Sequence, residues 1–150
     1  MPLSSPPSMD QDHQNLLQLL VKVQQLSGKT GSLAESLAKP LQQHMEKEES
    51  LVLPLLGLLR DSAKGKIGSA SARKASRLYA TLQREYPRML RGHQELRKIL
   101  DKLKKVGGEE GHLTAVRFAE ALARHSKEEE EVLYPAALLV GRMASTRPRS

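Results

Sequence analysis

The sequence HMEKEESLVLP (His44 to Pro54) places a histidine and a glutamate four residues apart and then continues into leucines. In an α-helix, residues at positions i and i+4 lie on the same face, so His44 and Glu48 point in the same direction. Leu51 and Leu55 follow on that face, and an apolar stripe of this kind is the face that a helix turns toward a core. The stretch therefore places an ionisable pair in the protein interior.

The composition predicts one globular, all-helical domain. The chain has 150 residues, the size of one domain, and 39% of them are hydrophobic while 27% are charged. Leucine dominates the apolar residues and β-branched residues are few, which favours helices over strands. The absence of cysteine excludes disulfides, thiolate metal sites and thiol nucleophiles, and it fits a reducing, cytoplasmic location.

The charge and hydropathy patterns limit the classes of partner. The net charge is +7, but the chain has only three tyrosines and one phenylalanine, too few for a surface on which nucleic-acid bases stack. The lysines and arginines are interpreted as solvated helix faces. No run of about 18 apolar residues and no apolar leader appear. We therefore predict no nucleic-acid partner and no membrane association, and these patterns set no oligomeric state.

Four segments have the 3.6-residue periodicity of amphipathic helices, and no strand pattern competes with them. The predicted helices cover residues 10–26, 32–60, 72–106 and 112–140. Ser32 and Glu35 have the spacing of a capping box at the start of the second helix, and Gly107-Gly108 is expected to close the third. These segments predict an up-down-up-down four-helix bundle over 10–140. Residues 1–9 and 141–150 are predicted to be flexible, the latter as a basic tail.

The second half of the chain repeats the first. HMEKEESLVLPLL aligns with HSKEEEEVLYPAA, and DHQNLLQLL aligns with GHQELRKIL. The matched pairs, separated by 80 residues for the first and 81 for the others, are His13 with His93, His44 with His125, Glu48 with Glu129, and Pro54 with Pro135. Each half is therefore predicted to be a helical hairpin with a lone histidine on its first helix and His-x-x-x-Glu on its second.

The lengths of the hairpin arms place these residues at one level. His13 lies 13 residues before Leu26, and His44 lies 12 residues after Ser32, so both arms rise nearly 20 Å at about 1.5 Å per residue. The second hairpin gives 13 residues on each arm, from His93 to residue 106 and from residue 112 to His125. Two such hairpins packed together would bring four histidines and two glutamates into one layer of the core.

A layer of this kind predicts a metal site. One histidine on an apolar stripe is usually a hydrogen-bonded core residue, and one His-x-x-x-Glu pair is common by chance. Here, however, four inward histidines at matched heights accompany a glutamate in both repeats. A buried carboxylate without a partner is costly, and neutral imidazoles are good metal ligands. The ligand number predicts two metal ions, held by the residues His13, His44, Glu48, His93, His125 and Glu129.

The remaining polar residues near this layer receive plainer interpretations. His112 lies at the start of the fourth helix, far from the level of the other histidines, and is interpreted as a surface residue. Glu49 and Glu130 are expected to point outward or to support the ligands from behind. Tyr86 and Tyr134 are interpreted as packing residues, either of which could reach the site if a helix is distorted at its proline.

The six predicted ligands, in this order on four helices, resemble the hemerythrin-like proteins of the HHE cation-binding family. HMEKEESLVLPLL and HSKEEEEVLYPAA are similar to the two signature segments of that family, and the resemblance covers residues 10–140. It implies a four-helix bundle that holds a non-haem di-iron centre, with two iron ions that carry an oxo or hydroxo bridge. It also implies that Glu48 and Glu129 bridge the metals and that the four histidines are terminal ligands.

The third helix departs from the pattern of the oxygen-carrying hemerythrins, which have two histidines one turn apart there. In this chain Met89 precedes His93 by one turn and Arg97 follows it by one turn, and neither residue suits iron. The resemblance therefore implies an open coordination position beside His93 and rapid oxidation in air instead of reversible oxygen carriage.

Three classes of function follow from these expectations. The first is a module that binds or senses a small ligand such as O2, peroxide or nitric oxide. The second is a di-iron oxidase or an enzyme that handles peroxide or nitric oxide. The third is an iron storage or repair protein. No nucleophile or general-acid constellation appears apart from the metal site, which favours binding over a defined enzymatic reaction.

Overall fold

The computed structural model describes residues 3–146, and every secondary-structure element in this range is a helix, with no strand. The prediction of an all-α protein is therefore confirmed. The elements in chain order are α1 (Pro7–Gln24), α2 (Gly28–Leu51), α3 (Leu53–Leu56), α4 (Leu59–Ala63), α5 (Ser69–Glu109), α6 (Leu113–Glu128), the π-helix π1 (Glu129–Leu133) and α7 (Tyr134–Ser145).

The predicted helix over 32–60 is wrong at both ends. It begins earlier, at Gly28, and α2 ends at Leu51, after which the chain continues as the short helices α3 and α4. The cause of the break lies in Pro54, which has no N–H to continue the hydrogen-bond ladder and disfavours helical geometry in the residue before it. Pro40 and Pro87, in contrast, lie inside α2 and α5, which continue through them.

The third and fourth predicted helices also end elsewhere. Gly107 does not close α5, which continues to Glu109. Gly107 is buried there, and a Cβ atom at this position would lie 3.0 Å from the Cβ of Ala115, so the glycine allows α5 and α6 to pack closely. The segment predicted as 112–140 is divided into α6, π1 and α7.

The predicted domain, residues 10–140, is shorter than the helical region. α1 begins at Pro7 instead of residue 10, and α7 continues to Ser145 instead of residue 140. Gly141 and Ala144 are buried, so residues 141–145 are helical and packed, in contrast to the flexible tail predicted from residue 141. Residues 1–2 and 147–150 of the predicted flexible ends lie outside the described residues.

The predicted capping box is wrong because Ser32 and Glu35 lie one turn inside α2. The start of α2 is instead capped by a residue from the end of α5. The backbone N–H groups of Lys29 and Thr30 donate hydrogen bonds of 3.1 and 2.8 Å to the carboxylate of Glu110, which supplies the acceptor that free N–H groups at a helix start require. This contact connects the two hairpins at one end of the protein.

Gly28 makes room for this cap. Its backbone has a φ of +78°, in the left-handed region that favours glycine. A Cβ atom at this position would also collide with the Glu110 carboxylate. Both the backbone geometry and the space available therefore require glycine here.

The apolar core consists of two clusters. The first contains buried residues of α1, α5 and α6 and of the amino-terminal part of α2, among them Leu20, Leu37 and Phe118. The second contains buried residues of α3, α5 and α7, among them Leu82 and Tyr134. Glu48, His93, His125 and Glu129 lie between members of the two clusters along α2, α5 and the α6–π1–α7 segment. The polar layer therefore separates two aliphatic cores.

Among the helices of residues 3–146, none is both long enough and apolar enough to cross a membrane.

Replacing Glu110 with alanine should lower the melting temperature at pH 7, because α2 would lose its cap. Hydrogen bonds from Thr30 and Lys29 hold the pKa of Glu110 below its usual value, so its stabilising effect is present above about pH 4.3, the ordinary value of a glutamate, and is lost as the pH falls through the lowered pKa. The difference in melting temperature between wild type and Glu110→Ala should therefore shrink in acid.

The neighbouring, exposed Glu109 provides the control, because removal of its carboxylate leaves the cap intact. Thermal unfolding of Glu109→Ala should follow the wild type at both pH values. A Glu110→Ala variant as stable as Glu109→Ala at pH 7 would show that the carboxylate does not stabilise α2.

Candidate metal centre

The structure brings all six predicted ligands together. His13 lies on α1, His44 and Glu48 on α2, His93 on α5, His125 on α6 and Glu129 at the start of π1. Glu48, His93 and Glu129 are almost completely buried, whereas His44 and His125 keep 8% and 11% of their side chains exposed. The prediction that both halves of the chain place these residues at one level thus agrees with their positions.

The six side chains form two groups that could each hold a metal ion, and both groups contain the same two glutamates. Group A consists of His13, His125, Glu48 and Glu129, and group B of His44, His93, Glu48 and Glu129. In each group the ligand atoms lie within 4.8 Å of one another. Each glutamate offers one oxygen to each group, which is the arrangement that two bridging carboxylates would have.

The internal repeat explains this division. Exchanging the two halves of the chain maps His13 onto His93 and His44 onto His125, so it converts group A into group B. Each group therefore takes one histidine from each half of the chain. Neither half can assemble a complete group without the other.

Group B is the more compact group. The Nε2 atoms of His44 and His93 are 2.7 Å apart. His44 Nε2 lies 2.9 Å from Glu48 Oε1, and His93 Nε2 lies 3.2 Å from Glu129 Oε1. Two potential donor atoms thus lie near each of these imidazole nitrogens, at distances typical of ligands on a common ion.

Group A contains three buried polar atoms without hydrogen-bond partners, namely Glu48 Oε2, His125 Nε2 and His13 Nδ1. His125 Nε2 lies 3.2 Å from Glu129 Oε2 but without the geometry of a hydrogen bond. His13 Nε2 lies 4.0 and 3.9 Å from the Oε2 atoms of the two glutamates. Buried polar atoms normally have partners, so unpaired nitrogen and carboxylate donors that face one another fit a cation.

The electrostatic environment favours the neutral form of His93 and His125. Burial lowers the pKa of His93, and the neighbouring His44 lowers it further, in opposition to the nearby carboxylates. Burial is also the main cause that lowers the pKa of His125. A neutral imidazole has a free lone pair on one nitrogen, and this is the form that binds metals.

A carboxylate behind His93 orients its ring. Glu130 Oε1 lies 2.9 Å from His93 Nδ1, and Arg97 forms an ion pair with the same carboxylate. Burial raises the pKa of Glu130, but the hydrogen bonds from Arg97 and His93 lower it by more, so the pKa is below its usual value. When the Nδ1–H group donates a hydrogen bond to this carboxylate, the lone pair of Nε2 is left to face group B. Glu49 lies 3.6 Å from His13 Nδ1, too far for a hydrogen bond, and this nitrogen has no hydrogen-bond partner.

Tyr134 also reaches the centre, in contrast to its interpretation as a packing residue. Its side chain is completely buried, and its hydroxyl lies 3.1 Å from both His44 Nε2 and His93 Nε2. Burial, followed by the nearby Glu48, raises the pKa of this phenol, so it is protonated in the absence of a cation. From the sequence, Tyr134 could reach the site if its helix were distorted near a proline. The π-helix π1, which ends two residues before Pro135, is a distortion of this kind.

The expectation of an open position beside His93 is therefore wrong. The Tyr134 hydroxyl lies there, while Met89 is buried in the second apolar cluster. Tyr86 does not take this position, since it packs edge-on against the Tyr134 ring with 6.0 Å between the ring centroids. A tyrosine remote in sequence from His93 thus lies beside its Nε2 atom.

Two surface cavities lie near the centre. One, of about 230 Å³, lies between α1 and α6 and is lined by His125 itself together with Asp12, Asn15, Ala121 and Glu128. The other, of about 450 Å³, is lined by Tyr86, Pro135 and Leu138 but by none of the six predicted ligands. His125 of group A therefore lies at the wall of a surface cavity.

His112 lies apart from both groups, as the sequence predicts. Its Nε2 is 3.2 Å from the backbone oxygen of Ser27, at the end of the protein where Glu110 caps α2. It belongs to neither group of potential ligands.

The family model of the hemerythrin HHE cation binding domain matches residues 6–137. The chain belongs to this family. The resemblance predicted from the two signature segments is thus confirmed, and the HHE domain covers nearly the whole chain. No curated protein and no solved structure matches the chain significantly.

Because each of His44 and His125 belongs to only one group, replacing either with alanine should lower the metal content of this HHE protein to about half that of the wild type. The variants should also lose part of the rise in melting temperature that metal produces. Metal analysis after exhaustive dialysis and thermal unfolding would measure both effects. Removal of His112, which lies outside the groups, should leave the metal content unchanged. Unchanged metal in both His44→Ala and His125→Ala would remove these residues from the ligand set.

Proposed function

We propose that this HHE protein is a non-haem di-iron protein that binds or reacts with a small ligand such as O2, peroxide or nitric oxide. The observation that carries the proposal is the pair of donor groups that share Glu48 and Glu129. Two adjacent cations joined by two carboxylates would neutralise charges that are otherwise buried without compensation. The proposed ligands are the six residues predicted from the sequence.

The donor set favours iron over several other cations. The groups contain imidazole and carboxylate donors and no thiolate, which argues against sites selective for soft metals. Calcium and magnesium prefer oxygen ligands, whereas each group here offers two nitrogens. Histidine and carboxylate ligands with open positions are typical of non-haem iron that reacts with oxygen. When bound, two iron ions would supply redox chemistry and open positions for a small ligand.

The protein's own residues would control that chemistry. The aliphatic clusters on both sides exclude water from the layer, which influences the redox potential of a bound metal. Glu130 and Arg97 hold the His93 ring, and Glu49 stands behind His13. The sequence has no nucleophile or general-acid constellation apart from the metal site. These features support binding or sensing first, and a di-iron oxidase or peroxide-handling or nitric-oxide-handling enzyme, or an iron storage or repair protein, as the alternatives.

The proposal includes an up-down-up-down arrangement of four helical arms, formed by α1, α2, α5 and the α6–π1–α7 segment. The short connections after α1 and α5 support it, as does the meeting of ligands from all four arms in one layer. The cytoplasmic location stays a prediction that rests on the absence of cysteine.

Metal analysis of the purified protein together with its optical spectrum tests the proposal. About two irons per chain and near-ultraviolet absorption from an oxo bridge are expected, because the two groups share their carboxylates. One zinc ion per chain and a colourless protein would contradict it. A stable, reversible oxygen complex would favour a carrier or sensor, and rapid turnover of peroxide would favour an enzyme.

The cavity between α1 and α6 is the proposed entrance for small ligands, because it is lined by His125 of group A. Ala121→Phe should narrow it and slow the binding of azide to the ferric protein several-fold, as measured by rapid mixing and absorbance. Leu138→Phe, in the second cavity, is the matched control and should leave the rate unchanged. The opposite pattern of rates would place the entrance at the second cavity.

A further inference from the structure

The buried phenol of Tyr134 is the one polar group in the layer that the proposed function leaves without a role. Its hydroxyl is 3.1 Å from two imidazole nitrogens, but a phenol has one proton and can donate only one hydrogen bond at a time. The two nitrogens are also the atoms through which His44 and His93 would bind a cation. A cation in group B would thus meet the phenol oxygen directly.

The distances around this oxygen match those between ligands on one metal ion. At bond lengths of about 2.1 Å, adjacent ligands of an octahedral ion lie about 3.0 Å apart and opposite ligands about 4.2 Å apart. His44 Nε2 is 2.7 Å from His93 Nε2 and 2.9 Å from Glu48 Oε1. It lies 3.9 Å from Glu129 Oε1, near the separation of opposite ligands. The phenol oxygen, at 3.1 Å from both nitrogens, has the spacing of a fifth, adjacent ligand.

The π-helix places the phenol there. The backbone N–H of Tyr134 donates to the carbonyl of Glu129, five residues earlier. A π turn contains about one residue more than an α turn. The side chain of Tyr134, five residues after Glu129, therefore lies on nearly the same face of the helix as Glu129. In a regular α-helix the side chain five residues after Glu129 would point well away from it. Tyr134 and Glu129 therefore face the same centre.

The first half of the chain has no oxygen donor equivalent to the Tyr134 hydroxyl. The residue equivalent to Tyr134, 81 positions earlier, is Leu53, which is buried in an apolar cluster. The first half of the chain has no π-helix at this point, because α2 ends at Leu51. Group A thus keeps four donors, whereas group B can have five.

We propose that Tyr134 is a ligand of the iron in group B and that it coordinates through its phenolate oxygen. This inference rests on the proposed di-iron function. On coordination the phenol O–H bond breaks and an oxygen–iron bond forms, while the proton leaves to solvent and no oxidation state changes. A bound cation reverses the effect of burial on a coordinating group. The phenolate reduces the net positive charge of a ferric pair, and external ligands bind at the iron of group A.

The optical spectrum of the ferric protein tests this assignment. A tyrosine oxygen on ferric iron gives an intense visible charge-transfer band, and Raman excitation within it enhances tyrosine ring vibrations. The chain has three tyrosines, so the Tyr79→Phe/Tyr86→Phe double variant leaves Tyr134 as its only tyrosine. We expect the band and the ring vibrations in the wild type and in this double variant.

Tyr134→Phe keeps the ring and removes only the donor oxygen. It should lose the band by more than about tenfold per bound iron, while its helix content by circular dichroism stays that of the wild type. Loss of the band in the Tyr79→Phe/Tyr86→Phe variant, which needs no folded Tyr134→Phe protein, would overturn the inference. A band that persists in folded Tyr134→Phe would also overturn it.

Iron content separates the two proposals. About two irons per wild-type chain without a tyrosine-dependent band would overturn the role of Tyr134 and leave the di-iron function standing. A wild type that binds no iron would overturn both.

Discussion

Two carboxylates, those of Glu48 and Glu129, lie in a polar layer between two aliphatic clusters, and the rest of the structure depends on their neutralisation. Burial of two like charges without a cation is strongly unfavourable. Burial favours the neutral form of His93 and His125, and all four histidines place a ring nitrogen toward the shared carboxylates. A pair of cations would convert this layer from a source of instability into a connection among α1, α2, α5 and α6.

The duplicated hairpin provides this arrangement twice, but the two copies differ after their glutamates. In the first copy α2 ends at Leu51, and Pro54 lies in the short helix α3, which is followed by α4. In the second copy the helix widens into π1 before Pro135 and continues as α7. Proline lacks a backbone N–H in both copies, yet the helix breaks in the first copy and widens in the second. The asymmetry of the metal centre, with Tyr134 on one side only, follows from that difference.

On the side of group A, His125 lines a surface cavity. On the side of group B, Tyr134, Glu130 and Arg97 lie around His93. If both groups hold a metal, as proposed, the two sides would have different tasks. The side of group B would fix charge and potential through its oxygen donors, and the side of group A, the accessible side, would exchange small ligands. The structure is compatible with binding and with redox turnover, and the two differ in what occurs on the accessible side.

The sequence by itself determined the all-helical class, the family and the six residues of the layer, because helical periodicity, equal arm lengths and the internal repeat are properties of sequence spacing. Tertiary structure decided the rest. Glu110 rather than Ser32 caps α2, since the acceptor comes from another helix 80 residues away. Tyr134 reaches His93 because π1 changes the helical phase, and spacing rules that assume a regular α-helix cannot anticipate such a change.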